Sequence, residues 1–336
     1  MRKLLILLVL GLSVGCNRPA PAEPEPTPNL LDQILNGAPA DAADAPLEDV
    51  DITDTVSLRK RGNRHVADGQ FDSAILVYTE ALRVKEEAMT YYNRGIAYMS
   101  KGELEKALAD YDMAVKLEPK QASPYINRGL LLHSMGKTAQ GINDLTEAQK
   151  LDADDPSILL NRGLLYLNIG LYDRAITDFD AAIKMKPDYT DAIINRGYCY
   201  HRQKQYARAI EDFNVAIKHT PTSALAYSNR GNAYTQLNEF DKALADLNEA
   251  IRLDSKDAQL YNNRGGAYGA KGDHKRAAED FSKAIELIPD FASAFRNRGL
   301  AYHTMGDKER AGADFAIALH IEPNVTEGVP AEYLKK

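Results

Sequence analysis

The chain has 336 residues, of which 44% are apolar and 26% are charged, the composition of a folded soluble protein. Its net charge of −7 leaves no basic excess to neutralise phosphates, which argues against nucleic acid as a partner. The length alone would suggest two domains.

The chain begins with "MRKLLILLVLGLSVGC", in which two cations precede an apolar run and small residues before Cys16. This pattern predicts a secretory signal over residues 1–15, because the apolar run is too short to span a membrane. The position of Cys16 resembles the processing site of bacterial lipoproteins, which implies that its thiol is lipidated and becomes the first residue of the mature chain. The alternative is an ordinary signal peptide cut nearby, with a free thiol.

Residues 16–54 follow as a segment rich in Pro, Ala and acidic residues, with nine acidic side chains against Arg18. Such a composition cannot supply a core, so the segment beyond Cys16 is interpreted as a disordered tether. Most of the negative charge of the chain therefore belongs to the tether, and the remainder is close to neutral.

From Asn93 onwards, an Asn-Arg-Gly triplet recurs every 34 residues. Apolar residues four before and three after each glycine form one face of a first helix. Glycines mark a turn, and a second helix follows with two alanine columns and an aromatic or Leu column. Prolines such as Pro119 and Pro187 end the unit. The triplet begins at Asn93, Asn127, Asn161, Asn195, Asn229, Asn263 and Asn297.

This order of Gly, Tyr, Ala, aromatic, Ala and Pro at an unbroken period resembles the tetratricopeptide repeat family. The resemblance implies an all-α, right-handed superhelical solenoid of about eight helix-turn-helix repeats over residues 55–325, with a tail over 326–336. The first copy, near residues 55–87, is degenerate. Two features depart from the common motif: the first helix lacks a tryptophan, and an arginine precedes the glycine.

A glycine inside a helix costs roughly 1 kcal/mol relative to Ala. Its recurrence predicts that a side chain of the second helix occupies the place of a Cβ at each of these positions. Each arginine needs a partner, and an aspartate stands fifteen residues after each glycine, as Asp178 does for Arg162. We expect a ladder of Arg–Asp pairs, either within a repeat or between neighbouring repeats. The alternative is that both side chains are solvated. Because Val77 replaces the aspartate in the degenerate copy, one arginine there should lack its pair.

In this family the first helices line a concave groove, so the resemblance makes the seven Asn residues of the triplets the candidate peptide-binding column. An Asn amide can both donate a hydrogen bond to a peptide backbone and accept one from it. The alternative is that these Asn side chains only satisfy neighbouring helices. The apolar half of the predicted groove, in the second to fifth repeats, comprises Tyr92, Ile96, Met99, Ile126, Leu130, Leu160, Leu164, Leu167, Ile194 and Tyr198. The sixth and seventh repeats offer a polar half that includes Ser228, Asn232, Asn262 and Gly266.

No catalytic or nucleotide-binding motif occurs in the sequence, so we expect neither an enzyme nor a cofactor. His133, His201 and His303 share one column but lie in non-adjacent repeats, which argues against a metal site. Cys199 occupies a column of alanines and is expected to be a buried small residue.

The sequence therefore predicts a non-enzymatic scaffold of the bacterial cell envelope that binds a protein or peptide. It would face the periplasm and touch the membrane only through its lipid, with the outer membrane favoured if the cell has one. The alternative is a structural lipoprotein that assists assembly of a pilus, secretion or polysaccharide export complex.

Overall fold

The computed structural model describes residues 54–334. The predicted signal peptide, Cys16 and all but the last residue of the tether lie outside the described residues. Within them the chain forms seventeen helices and no strand, which confirms the all-α expectation.

The helices follow one another as eight antiparallel pairs and a short final helix. The first helices of the pairs contain thirteen residues and the second helices fourteen. In chain order they are α1 (Thr55–Ala67), α2 (Phe71–Val84), α3 (Ala88–Ser100), α4 (Leu104–Leu117), α5 (Ala122–Ser134), α6 (Thr138–Leu151), α7 (Pro156–Asn168), α8 (Tyr172–Met185), α9 (Thr190–Arg202), α10 (Tyr206–His219), α11 (Ala224–Gln236), α12 (Phe240–Leu253), α13 (Ala258–Ala270), α14 (His274–Leu287), α15 (Ala292–Thr304), α16 (Lys308–Ile321) and α17 (Ala331–Leu334).

The chain divides into two compact units after Met185. The first contains α1 to α8, and the second contains α9 to α17. In each unit the two helices of a pair pack against each other, and the second helix of a pair packs against the first helix of the next. Each pair therefore buries its apolar faces on its neighbours as well as on itself.

The turn between the helices of each pair contains one residue with a left-handed backbone. Six of these turns use glycine, as at Gly102 and Gly170, whereas Lys204 and Asn238 occupy the same position with φ values of 61° and 59°. Glycine is favoured there because a Cβ disfavours positive φ. The sequence pattern of turn glycines missed these two turns, although the geometry is the same.

Capping side chains and prolines account for where several helices begin and end. Asp54 caps α1 through hydrogen bonds from the backbone N–H groups of Val56 and Ser57, and Asp155 caps α7, which begins with a proline. The predicted stops are also confirmed, because Pro119 and Pro187 lie two residues beyond the ends of α4 and α8.

The core contains two columns of small alanine side chains and one column of large aromatic or Leu side chains, all on the second helices. The alanine columns are fully buried, as at Ala107 and Ala114, and so is the aromatic column, as at Tyr111 and Phe179. Small residues let helices approach closely, and the aromatic rings fill the space between them.

The segment after α16 closes the second unit. Val325 packs against Phe295 and Ala318, and Val329 joins Tyr333 in a cluster around Phe315. The Tyr333 ring lies 4.9 Å from that of Phe315, between ring centroids. Gly312 leaves room for this ring: a Cβ there would already be in contact with it at 3.4 Å, and most other repeats carry the larger Leu or Ile in this column, as at Leu108 and Ile142. The tail therefore covers the apolar surface that another repeat would otherwise cover.

Candidate partner-binding surface

Each residue of the triplet has a distinct environment, and the glycine is the most constrained. A Cβ on Gly163 would lie 2.6 Å from Cε1 of Phe179 on the second helix of the same pair. The equivalent atoms are similarly close at Gly95 with Tyr111 and at Gly197 with Phe213, whereas Gly129 meets a backbone carbonyl of α6. The expected close packing of the two helices is confirmed.

The arginine forms a bidentate ion pair with the aspartate of its own repeat. In Arg162, Nε and Nη2 donate to the two carboxylate oxygens of Asp178 at 2.8 and 2.7 Å. Both side chains are largely buried. The in-repeat version of the ladder is therefore the one observed, and it recurs as Arg94–Asp110, Arg128–Asp144, Arg196–Asp212, Arg230–Asp246, Arg264–Asp280 and Arg298–Asp314.

The remaining Nη1 of the arginine reaches the second helix of the preceding repeat. Arg162 donates from Nη1 to Thr146 at 3.2 Å, and Arg128 donates to Asp112 at 2.8 Å. Equivalent acceptors are Thr79, Asn214, Asn248 and Ser282. Each such guanidinium therefore joins three helices and uses the planar fork that distinguishes Arg from Lys. This polar column was not predicted, although its regular spacing is visible in the sequence.

Electrostatics match this geometry. Hydrogen bonding to the Asp144 carboxylate raises the pKa of Arg128, whereas burial acts in the opposite direction. The guanidinium therefore stays charged at any physiological pH.

The degenerate first pair breaks the ladder as expected. Val77 occupies the position of the aspartate, and the buried Nε of Arg61 has no hydrogen-bond partner within residues 54–334. A buried donor without a partner typically costs about 1–3 kcal/mol.

The asparagine column mainly links neighbouring first helices. The Nδ2 atom of Asn127 donates to the Tyr92 hydroxyl at 2.8 Å, and that of Asn263 donates to Ser228 at 3.0 Å. Asn93 and Asn297 bond in the same way to Asn63 and Asn262, and Asn195 bonds to the Asp191 carbonyl of its own helix. Burial raises the pKa of Tyr92 to about 12, and the hydrogen bond from Asn127 partly opposes that shift.

These contacts correct the predicted peptide column. Asn127, Asn161 and Asn195 are buried and leave little surface for a partner. The alternative interpretation, in which these amides satisfy neighbouring helices, agrees better with the structure. Asn93, Asn229, Asn263 and Asn297 are half-buried and retain some accessible surface.

The apolar half of the predicted groove also needs correction. Ile96, Leu130, Leu160 and Leu164 are only 5, 3, 0 and 2% exposed, respectively. Leu130, for example, belongs to a core cluster with Leu145 and Leu165, so it packs between repeats and does not face outward. These four residues are withdrawn as partner contacts. Tyr92, Ile126 and Tyr198 are half-buried.

The accessible polar surface lies on α11 and α13 in the second unit. Gln236 and Gly266 are exposed, and Asn229, Asn232 and Asn262 are half-buried. We call these five residues the amide face. A Cβ on Gly266 would meet nothing within 4 Å, so packing does not explain this glycine as it explains the adjacent Gly265.

The remaining chemically reactive side chains that the structure describes do not form a site. Cys199 is buried, and burial raises the pKa of its thiol to about 12. No group of three His, Cys, Asp or Glu side chains within residues 54–334 could hold a metal ion. Among the helices of the same part of the chain, none is long and apolar enough to cross a membrane.

Comparison with known proteins agrees with the repeat architecture. A family model described as TPR repeat matches residues 95–136, 231–272 and 267–306, and one described as tetratricopeptide repeat matches 126–190 and 160–224. Together these models cover more than half of the chain.

Two known proteins are similar to this chain over a short stretch of residues. Tetratricopeptide repeat protein 12 of Homo sapiens is 40% identical over 65 residues, which are 19% of this chain and 9% of that protein. Sperm-associated antigen 1 of Rattus norvegicus is 34% identical over 65 residues, which are 19% of this chain and 7% of that protein. The chain thus matches less than a tenth of the length of these relatives.

Two solved structures share the fold. A tetratricopeptide repeat protein from Parabacteroides merdae ATCC 43184 has a TM-score of 0.61 and 24% identity, covering 74% of this chain and 98% of that chain. The crystal structure of the APC/C hetero-tetramer Cut9-Hcn1 has a TM-score of 0.59 and 15% identity, covering 81% of this chain and 54% of that chain. With its recurring helix pairs and these matches, the chain belongs to the tetratricopeptide repeat family.

Proposed function

We propose that this protein is a non-enzymatic scaffold that binds an extended segment of a partner protein on the amide face. The observation that carries the proposal is the accessible Gly266, which lies in the middle of α13 where no neighbouring side chain requires a glycine. A helix-interior glycine is unfavourable by about 1 kcal/mol. A partner whose backbone approaches the helix closely would explain its presence.

The surrounding amides supply the chemistry for such a partner. Asn232 on α11 forms no side-chain hydrogen bond within residues 54–334, and the Oδ1 of Asn262 accepts from Asn297, which leaves its own amide N–H₂ to donate. An amide side chain can pair with both the N–H and the C=O of an extended backbone. The expected ligand is therefore a polar, extended segment bound largely through its main chain.

A pull-down from an envelope extract tests this assignment. The bait is the mature chain carrying Asn232→Ala and Asn262→Ala, and the matched control carries Glu279→Ala on the exposed face of α14. We expect partners retained by the parent and the control to be depleted at least tenfold on the amide-face variant. Equal retention on all three baits would refute the assignment.

We further propose that the scaffold is held in the bacterial cell envelope by a lipid on Cys16 and faces the periplasm, with the outer membrane as its location where one exists. The support is the signal-like start of the chain, with the cysteine directly after its small residues. In a bacterial host, the parent should incorporate a labelled fatty acid and partition into detergent. A Cys16→Ser variant that still did both would rule out this attachment.

A further inference from the structure

A contact between a tyrosine of the first helix and a cation of the second helix recurs in the helix pairs of both units. In six of the seven repeats that carry the triplet, the cationic group lies 3.9–5.7 Å from the centroid of the ring, close enough for a cation–π attraction. The six pairs are Lys106–Tyr98, Arg174–Tyr166, Arg208–Tyr200, Lys242–Tyr234, Arg276–Tyr268 and Arg310–Tyr302.

The third repeat, α5 and α6, lacks both members of this pair. Leu132 stands in the column of the tyrosine, and Gln140 stands in the column of the cation. A cleft of about 350 Å³ opens at these two residues, and Leu108 of the preceding second helix lines its other side. The two replacements therefore leave open a place that a ring and a cation fill in the other six repeats.

The guanidinium of Arg128 lines this cleft. Its Nε and Nη2 donate to Asp144 and its Nη1 donates to Asp112, each at 2.8 Å. These hydrogen bonds occupy the edges of the guanidinium, so its planar faces are what it can offer to a ligand. The face of a guanidinium stacks on aromatic rings.

Arg128 also has one aromatic neighbour fewer than the equivalent arginine of the second repeat. The guanidinium carbon of Arg94 lies 5.5 and 5.8 Å from the centroids of two tyrosine rings, one before and one after the triplet. That of Arg128 lies 5.4 Å from the ring of Tyr125, and Leu132 takes the place of the second ring. The third repeat can therefore accept one more aromatic ring.

The rest of the lining suits a ring that carries a hydroxyl group. Leu108 and Leu132 supply the apolar contacts. Lys137, Gln140 and Asn143 are exposed around the cleft, and Lys137 forms no ion pair with any side chain among residues 54–334. Its ammonium and the two amides can donate hydrogen bonds to a phenol oxygen, as Arg208 does to the hydroxyl of Tyr200 in the fifth repeat.

We propose that this cleft binds a tyrosine side chain of a partner protein, with its ring against the guanidinium of Arg128. The partner supplies the ring that the other repeats supply themselves. The site is separate from the amide face, because all its residues lie in the first unit and the amide face lies in the second.

Methyl NMR on the mature chain tests the proposal, with Cys16→Ser in every sample so that no lipid can be attached. The probes are N-acetyltyrosinamide and N-acetylleucinamide, which share their backbone groups and differ only in the side chain. Far from saturation, we expect the tyrosine probe to shift the Leu108 methyl signals about fivefold more than the leucine probe does, the ratio of affinities that one cation–π contact supplies.

Two variants close the cleft in different ways. Leu132→Tyr with Gln140→Arg restores the pair of the other six repeats, and Asn143→Trp covers the cleft from an exposed position, so it decides the outcome if the first variant does not fold. Each should reduce the shift at Leu108 about fivefold, which is the loss of that contact. The matched control, Lys120→Tyr, adds a ring at an exposed position outside the cleft and should keep the response of the parent.

Two results would overturn the proposal. One is an equal response of the parent to both probes, or no response to either. The second result is expected if Leu132 and Gln140 only accommodate the close backbone approach of α5 and α6 at Gly129 and Gly141. The other is a closed variant that folds and still responds to the tyrosine probe as the parent does.

Discussion

The packing of the triplet glycine makes a strong prediction at Gly163. An ideal Cβ there would lie 2.6, 2.9 and 3.0 Å from Cε1, Cδ1 and Cζ of Phe179, about 1 Å closer than favourable carbon contacts. Phe179 is fully buried, so its ring cannot move without leaving the space that it fills. Gly163→Leu therefore forces α7 and α8 apart or displaces the ring.

The expected magnitude follows from these two routes. Overpacking a core typically costs about 1–3 kcal/mol, and displacing Phe179 would approach the roughly 3–5 kcal/mol of a Phe-to-Ala truncation. The better helix propensity of Leu offsets about 1 kcal/mol. Because three ring atoms would lie within 3.0 Å of the new Cβ, we expect the second route, with a fall in the free energy of unfolding of about 2–4 kcal/mol after that offset.

Gly266→Leu is the matched control, because it makes the same change in a helix of equal length at an exposed position where a Cβ would meet no neighbour within 4 Å. It should be neutral or stabilise by up to about 1 kcal/mol, through helix propensity alone. Urea unfolding followed by circular dichroism measures both variants. Because repeat arrays can unfold in parts, hydrogen exchange in α7 and α8 should locate the loss. A Gly163→Leu protein within about 0.5 kcal/mol of the parent would refute the packing argument.

Three further predictions concern other contacts. A double-mutant cycle on Arg162 and Asp178, with urea unfolding as the assay, should give a coupling of about 1–3 kcal/mol, and a value near zero would contradict a structural role for the ladder. Lys204→Gly should raise stability by about 0.5–1 kcal/mol in thermal or urea unfolding, because it relieves a positive φ of 61°, and a loss of stability would contradict this reading of the turn. Tyr333→Ala should accelerate hydrogen exchange in α16, because it removes the ring beside Phe315. Leu334→Ala, at an exposed position, should leave that exchange unchanged. Equal effects of the two variants would argue against the tail as a cap.

Much of the architecture was predictable because each repeat must solve the same packing problem. The 34-residue period and the Gly, Ala and aromatic columns indicated paired helices, and the close approach at Gly163 followed from the cost of a helical glycine. The unpaired arginine was likewise predictable from Val77.

The candidate surface was less predictable. Residues at equivalent positions of different repeats lie on the same face of their helices, but the side chains that pack against them differ. Leu164 and Gly266 occupy the same column, yet one is buried and the other is exposed. The contacts of the tail were not predicted from the sequence either: Val325 and Val329 are buried, whereas Tyr333 is half-buried and Leu334 is exposed.

The sequence by itself determined the helix pairs, their order and the columns that hold each pair together, because these depend on local periodicity and on side-chain volume. Only the tertiary structure decided which aspartate each arginine binds, where its third hydrogen bond goes and which first-helix residues remain accessible. Those outcomes depend on how neighbouring repeats stack, and a one-dimensional pattern records that a residue is apolar or polar without recording what packs against it.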